Sequence, residues 1–535
     1  MSATLRSLWN RSSHSLSKPI GQELQSLITI LGVSLSFGAY FVLRYGGHWG
    51  EVDSVAFAGM IARLPEDGHI IYAGAYPHGY AYSVWAITLS YFTDLRVGEL
   101  LRWYTPIIGN LFLGLFAFAN FRRWLGSDRL GLAAASVLFL VPELVFTVSR
   151  GNHEKLTVTL TLLALLSLLR GFMEIQGGNW SRFAAWLGVY YLLAFVLVSL
   201  NVFFGSSFIV VSTLAVVMAW SLMRIAPRRM KNFRRPVERL TLRVAASWLL
   251  VLLVMWYIYP LGGQNLNVLK TVLTKLGVLI LSLEPLSNPY TTGITDWSSV
   301  AVYRTISSFR WVLLVGSFVS WVTLLWPTFR NLDRSALPKM FLLALYGAAG
   351  LQMALAIPID LIGLEEGANL QVRVYTYFVL FAAPLFVLGI QRLIRRWPFT
   401  RSPVTLAVAF FAICSLLKAT LDPMVSNRWI FYHPAEVEAI QNWATRHANQ
   451  SLWVGPDTRL SDGYLMEHSL GLPNYNSLDI GTPSPQTYHA LNSPLKQAND
   501  RAWGYTASPL LLEQQVYDNG IAQIYHRTPR TPLQR

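Results

Sequence analysis

Apolar residues fall along most of this chain in blocks of about 18 to 22, parted by short polar connections. A block of that length spans a hydrocarbon core of roughly 30 Å at ~1.5 Å per helical residue. Inside lipid the backbone must close its hydrogen bonds within the segment, so each block is expected to be a helix. The pattern predicts a polytopic α-helical membrane protein with about eleven transmembrane helices, over residues 24–43, 100–121, 130–149, 156–173, 183–201, 203–223, 244–262, 311–327, 340–363, 374–391 and 403–421. No small-residue cleavage site follows Leu43, so the first block reads as a retained anchor and not as a signal peptide.

Three stretches break the pattern. Residues 44–99 run from a polar GGHWGEVDS through the apolar VAFAGMIARL, a turn at Pro65-Glu66-Asp67-Gly68 and the aromatic YPHGY to a second apolar run, AYSVWAITLSYF. Both runs are too short to span and read as helices lying in the membrane interface. Residues 263–310 hold a candidate amphipathic helix from Asn267 to Leu283, followed by the loop-like LEPLSNPYTTGITDW. Past Asp422-Pro423 the apolar blocks stop. There HPAEVEAIQNWATRHA has helical spacing, SLWVGPD reads as strand and turn, and Gln515 to Tyr525 reads as a hairpin around Asp518-Asn519-Gly520. The expected organisation is a cytoplasmic arm over 1–23, a membrane domain over 24–421 and a small α/β domain over 422–535.

Composition agrees with a lipid environment: 53% of residues are hydrophobic, only 13% are charged, and there are 19 Trp and 24 Tyr. Charge then orients the chain, because Lys and Arg stay in cytoplasmic loops. The N-terminal arm carries Arg6, Arg11 and Lys18, and every second connection is basic: Arg122 to Arg129, Arg170 with Arg182, the block from Arg224 to Arg243, Arg330 to Lys339, and Arg392 to Arg401. The intervening segments 44–99, 150–155, 263–310 and 364–373 are poorer in both. The N-terminus is therefore expected in the cytoplasm of a multi-pass plasma-membrane protein, with the C-terminal domain outside. The net charge of +15 follows from this spacing and does not point to nucleic acid, since the region after Leu421 holds slightly more Asp and Glu than Lys and Arg. The single cysteine, Cys414, lies in the last apolar block and has no intrachain disulfide partner.

Soluble-enzyme signatures are missing: there is no phosphate-binding loop ending in Lys-Ser or Lys-Thr, no GxGxxG between strand and helix, no HExxH, no paired CxxC and no GxSxG. The acidic pair Glu51 and Asp53 follows the first span directly. Two carboxylates two residues apart in a non-helical segment could jointly hold a divalent cation, or one could act as a base that the other positions. Aromatic faces at Tyr76 and Tyr80 in YPHGY, with His78 between them, can pack on a sugar ring or an isoprenoid, or serve as interfacial belt residues.

A first outer loop with an acidic motif, two interfacial runs and a YP-rich turn before the second span resembles the GT-C class of membrane glycosyltransferases. That resemblance implies a polyprenyl-phosphate-linked sugar as donor and transfer on the extracytoplasmic face, with Glu51 and Asp53 as the acidic motif. Here the pair is ExD where many members carry DxD or adjacent acids. It further implies a second carboxylate at Glu154, in RGNHEKLT, and a carrier-phosphate contact at Arg373, in NLQVRVYTYF. An arginine fork matches phosphate oxygens. Taken residue by residue, Glu154 also suits a helix N-terminus and Arg373 an interfacial anchor. Asp360 and Glu365-Glu366 are reserve acids near the outer end of the ninth span. Other readings of the layout are a transporter or flippase of a lipid-linked sugar, and a noncatalytic assembly subunit.

Overall fold

The computed structural model describes residues 20–45, 49–51, 54, 57–61, 64, 68–69, 76–225, 231–282, 297–330, 337–363, 370–397, 401–420, 429–431, 433–446, 452–455, 478–480, 489–492 and 514–526. Asp53, the Glu51 side chain, Glu365-Glu366 and the turn residues 65–67 lie outside that set.

The membrane domain opens with α1 (Ile20–Tyr45) and the short β1 (Trp49–Glu51). After Ser54, the segment 57–61 and the YPHGY turn come α2 (Ala81–Thr93) and α3 (Val97–Leu125), the latter with a π-helical turn at Leu100–Tyr104. Next are α4 (Asp128–Leu138), α5 (Pro142–Ser149), α6 (Glu154–Gln176), α7 (Trp180–Leu200), α8 (Val202–Ile225), α9 (Lys231–Ala246) and α10 (Trp248–Leu253). Helices α11 (Gln264–Ser282), α12 (Trp297–Ile306), α13 (Ser308–Arg330), α14 (Leu337–Leu361), α15 (Leu370–Arg396) and α16 (Arg401–Thr420) complete the bundle. Among the described residues ten helices are long and apolar enough to cross a membrane, or eleven if α4 and α5, bent by 80° at their break, are counted as one span. The chain is a multi-pass membrane protein.

The structure differs from the sequence pattern at three helices, and at the first the cause is local. The block expected as one helix over 130–149 breaks at Leu-Val-Pro142: Val141 is extended (φ −100°, ψ 101°), as a residue before proline prefers. Pro142 then supplies the fixed φ that starts α5. The helix expected from Asn267 to Leu283 in the interface is α11, which is long and apolar enough to span, although only 6% of its apolar window is buried within the protein. Conversely, α16 carries the shorter apolar stretch Ser402–Lys418.

Several polar residues within the apolar core donate across helices, as the scarcity of water there favours. Asn110 donates to the Pro106 carbonyl (2.7 Å) and to Ser149 Oγ (3.0 Å), and Asn120 donates to the Leu162 carbonyl (2.7 Å). Glu143 of α5 and Lys418 of α16 form a buried ion pair that fixes the helix downstream of the bend.

After α16, β2 (Trp429–Phe431) pairs antiparallel with β1, aligning Glu51 with Trp429. Then α17 (Pro434–Arg446), β3 (Leu452–Gly455), β4 (Leu478–Ile480), β5 (His489–Asn492), β6 (Gln514–Asp518) and β7 (Gln523–His526) follow. The sheet order is β4-β3-β5-β7-β6, parallel on the β3 side and antiparallel from β5 to β6. Val437, Ile440 and Trp443 of α17 pack with Leu452 and Ile524, a small core of its own. The β6–β7 hairpin turns at Gly520 (φ 84°), where only glycine is free of Cβ strain.

Candidate functional site

The site is built where six helix ends meet, at the end of the bundle opposite the basic loops Arg122–Arg129 and Arg392–Arg396. α3, α6, α8 and α15 begin there, and α5 and α7 end there. Two short turns fill the space between them.

The first is YPHGY. Its backbone docks on the α7–α8 junction: Tyr80 N–H donates to the Ser199 carbonyl (2.9 Å), and Val202 N–H donates to the His78 carbonyl (2.6 Å). The approach is so close that a Cβ on Gly79 would lie under 3.0 Å from the Leu200 carbonyl. Tyr259 Oη donates to the Tyr76 carbonyl (2.6 Å), and His78 Nδ1 donates to Asn265 Oδ1 (2.8 Å). Tyr76 and His78 are therefore half-buried and held from several elements, not loose belt residues.

The second turn, Arg150-Gly151-Asn152-His153 at the start of α6, is buried throughout. Gly151 is clamped from both sides: its N–H donates to Ser54 Oγ (2.8 Å), and its carbonyl accepts from Tyr82 Oη (2.7 Å). Ser54, the residue after Asp53 in the chain, is thereby tied to the turn that carries Glu154. Asn201 Nδ2 lies 2.8 Å from His153 Nε2 and 3.2 Å from Tyr76 Oη, joining the two turns. The rings of Phe57, Tyr76 and His153 cluster with centroids 5.0 to 5.3 Å apart.

Glu154 pairs with Arg150 four residues earlier, and both side chains are nearly buried (12% and 11% exposed). Lys155 is 2% exposed, with its ammonium 6.0 Å from the Tyr82 ring centre. The turn thus gathers two fixed cations and one carboxylate in a desolvated setting. Arg373 is exposed in the first turn of α15, and that turn is capped by Asp360, whose carboxylate accepts from Leu370 N (2.6 Å) and Gln371 N (2.9 Å). One turn deeper, Tyr377 Oη lies 2.5 Å from Thr157 Oγ1, linking α15 to α6. Glu154 is three residues above Thr157 and Arg373 four above Tyr377, rises of about 4.5 and 6 Å, so the two residues stand at similar depth on facing helices.

Of the residues expected from sequence, Tyr76, His78 and Glu154 come together. Arg373 shares their end of the bundle without a side-chain contact to them, and Asp360 serves as a helix cap. Glu51 lies on β1, and Asp53 is outside the described residues. Arg150, His153, Lys155 and Asn201 were not singled out by the sequence reading. For the first three the signal was there in RGNHEK, which packs three basic or imidazole side chains around one acid at the start of an apolar block; Asn201 left no local signal. Among the described residues no three His, Cys, Asp or Glu side chains converge as metal ligands.

No family profile matches the chain, and no curated protein matches it by sequence. Its architecture does have solved counterparts. It is similar to the archaeal oligosaccharyltransferase AglB from Archaeoglobus fulgidus, solved with an inhibitory peptide and a dolichol-phosphate, at 11% identity and TM-score 0.54, covering 88% of this chain and 69% of that one. The fold is GT-C-like. Another structure of the Archaeoglobus fulgidus oligosaccharyltransferase, tethered to an acceptor peptide containing the NVT sequon, gives 12% identity and TM-score 0.51 over 88% and 69% of the two chains. ArnT from Cupriavidus metallidurans, solved bound to undecaprenyl phosphate, covers 94% of this chain and 97% of its own at 13% identity and TM-score 0.46.

Proposed function

We propose that the chain is a glycosyltransferase that moves a sugar from a polyprenyl-phosphate donor to an acceptor at the extracytoplasmic face. The observation that carries this reading is the Ser54–Gly151 hydrogen bond, which brings the chain next to Asp53 against the turn of Glu154 within a GT-C-like fold. In the reaction, the acceptor oxygen attacks the anomeric carbon, its proton passes to Asp53, and the bond from that carbon to the phosphate oxygen breaks with its electron pair on the leaving polyprenyl phosphate. Glu51 and Glu154 orient the acceptor or a divalent cation, while Tyr76 and His78 present faces and edges to the sugar. The leaving phosphate is stabilised by cationic donors that are already in place and need no solvent rearrangement. Arg373 is assigned that contact, an arginine fork matching the phosphate oxygens. The donor is already activated by its phosphate, so no nucleotide-binding domain is needed.

The test is sugar transfer by purified protein in lipid, comparing wild type with Asp53→Asn and Glu51→Gln. Asp53→Asn is expected to lose about a hundredfold to ten-thousandfold in rate with normal membrane insertion, the range for a positioned general base. A variant that transfers as fast as wild type removes Asp53 from the chemistry.

A further inference from the structure

A cavity of about 770 Å³ lies away from both turns, between α1, α4, α13, α15 and α16. Phe37, Ala133, Phe309, Phe386, Val408 and Phe411 contribute to an almost wholly apolar wall, and Gln391 and Arg395 stand at one end. Arg395 is the penultimate residue of α15, and Leu130 and Val404 near the same end belong to the first turns of α4 and α16. That end is the basic one. From Arg395 back to Phe386 the cavity follows α15 for nine residues, about 14 Å, or half of a hydrocarbon core of about 30 Å. Arg373 is 22 residues from Arg395 on the same helix, about 33 Å, so the cavity and the candidate site belong to opposite leaflets.

Three properties define the occupant. The wall offers water almost no polar partners, and an apolar void of this kind does not hydrate, while Val312 and Val408 leave 41% and 46% of their surface uncovered. The volume falls within the roughly 300–1,000 Å³ typical of ligand pockets. Arg395 is exposed and makes no hydrogen bond or ion pair among the described residues, leaving its guanidinium fork available to a phosphate. We propose that the cavity holds an acyl chain of an anionic phospholipid whose headgroup phosphate is bound at Arg395, in the leaflet opposite the candidate transfer site. The inference stands on the cavity alone and does not require the transferase reading.

The full-length protein is incubated with vesicles of equal phosphatidylglycerol and phosphatidylcholine, re-isolated, and its retained lipid counted by native mass spectrometry. Phosphatidylglycerol is expected to be retained over phosphatidylcholine. Arg395→Glu, a change at an exposed residue, is expected to lower its retention about tenfold by removing a charge-assisted contact. Ala133→Trp and Ala407→Trp fill the cavity from opposite walls, and whichever of them keeps the wild-type melting temperature is expected to lose both lipids. Equal retention of the two lipids, unchanged retention in Arg395→Glu, or unchanged retention in a folded tryptophan variant overturns the proposal. So does displacement of phosphatidylglycerol by an equimolar polyprenyl phosphate, which would assign the cavity to the donor's carrier.

Discussion

Replacing Glu143 by alanine tests what holds the bent span in place. Its carboxylate is paired with Lys418, with the two side chains 7% and 5% exposed, and Arg310 is close enough to act on the same carboxylate. Deleting it leaves a buried ammonium with a second cation nearby and no counter-charge among the described residues. Removing one member of a buried pair costs about 3–5 kcal/mol, and the added Arg310 repulsion puts Glu143→Ala at the upper end of that range. Lys418→Met is expected at the lower end, because Arg310 still faces the carboxylate. The double variant Glu143→Leu/Lys418→Met removes both charges and keeps volume, so it should return close to wild-type stability. The assay is equilibrium unfolding of the purified protein in one fixed detergent, read as a double-mutant cycle whose single variants are Glu143→Leu and Lys418→Met. Additive single-variant losses in the double variant would refute the reasoning, since they would mean that the pair contributes no coupling between α5 and α16.

The turns and the topology give further predictions. Gly79→Ala forces a Cβ into the Leu200 backbone and should destabilise the YPHGY docking by about 1–3 kcal/mol, lowering the melting temperature and the transfer rate together; a variant indistinguishable from wild type in both would contradict the close approach. Arg373→Ala should weaken donor binding strongly, with Arg373→Lys recovering only part because an ammonium lacks the fork; unchanged donor affinity in both makes Arg373 a membrane anchor. Cysteine labelling of intact cells should reach residues in 44–99 and beyond Leu421 and spare 224–243; the reverse pattern would invert the topology and displace the proposed site from the outer face.

Hydrophobic blocks made most of the helices legible, since their length is set by the bilayer and needs no partner to be read. The break at Pro142 was legible in principle, but the apolar run through 130–149 hid it, and the buried Glu143 that accompanies it acquires meaning only with Lys418, 275 residues away. The α17 helix and the β6–β7 hairpin followed from local spacing and an Asp-Asn-Gly turn, whereas the β3–β4 and β3–β5 pairings are non-local and left no local mark. At the site, Tyr76 and His78 stood out by residue type and Glu154 through the family resemblance. The roles of Ser54, Gly151 and Asn201 come from hydrogen bonds across sequence separations of 97, 69, 125 and 48 residues, which no local window contains.

The central claim is that the chain transfers sugar and does not merely move a lipid-linked sugar across the membrane. The direct measurement is made on wild-type protein in sealed vesicles given polyprenyl-phosphate donors with a labelled sugar, with a lipid and peptide extract as acceptor pool. Both the released polyprenyl phosphate and the labelled product are followed. The account predicts that the two appear together in equal amounts as the donor disappears. Donor that reaches the opposite leaflet with its sugar still attached, with neither product formed, would contradict it.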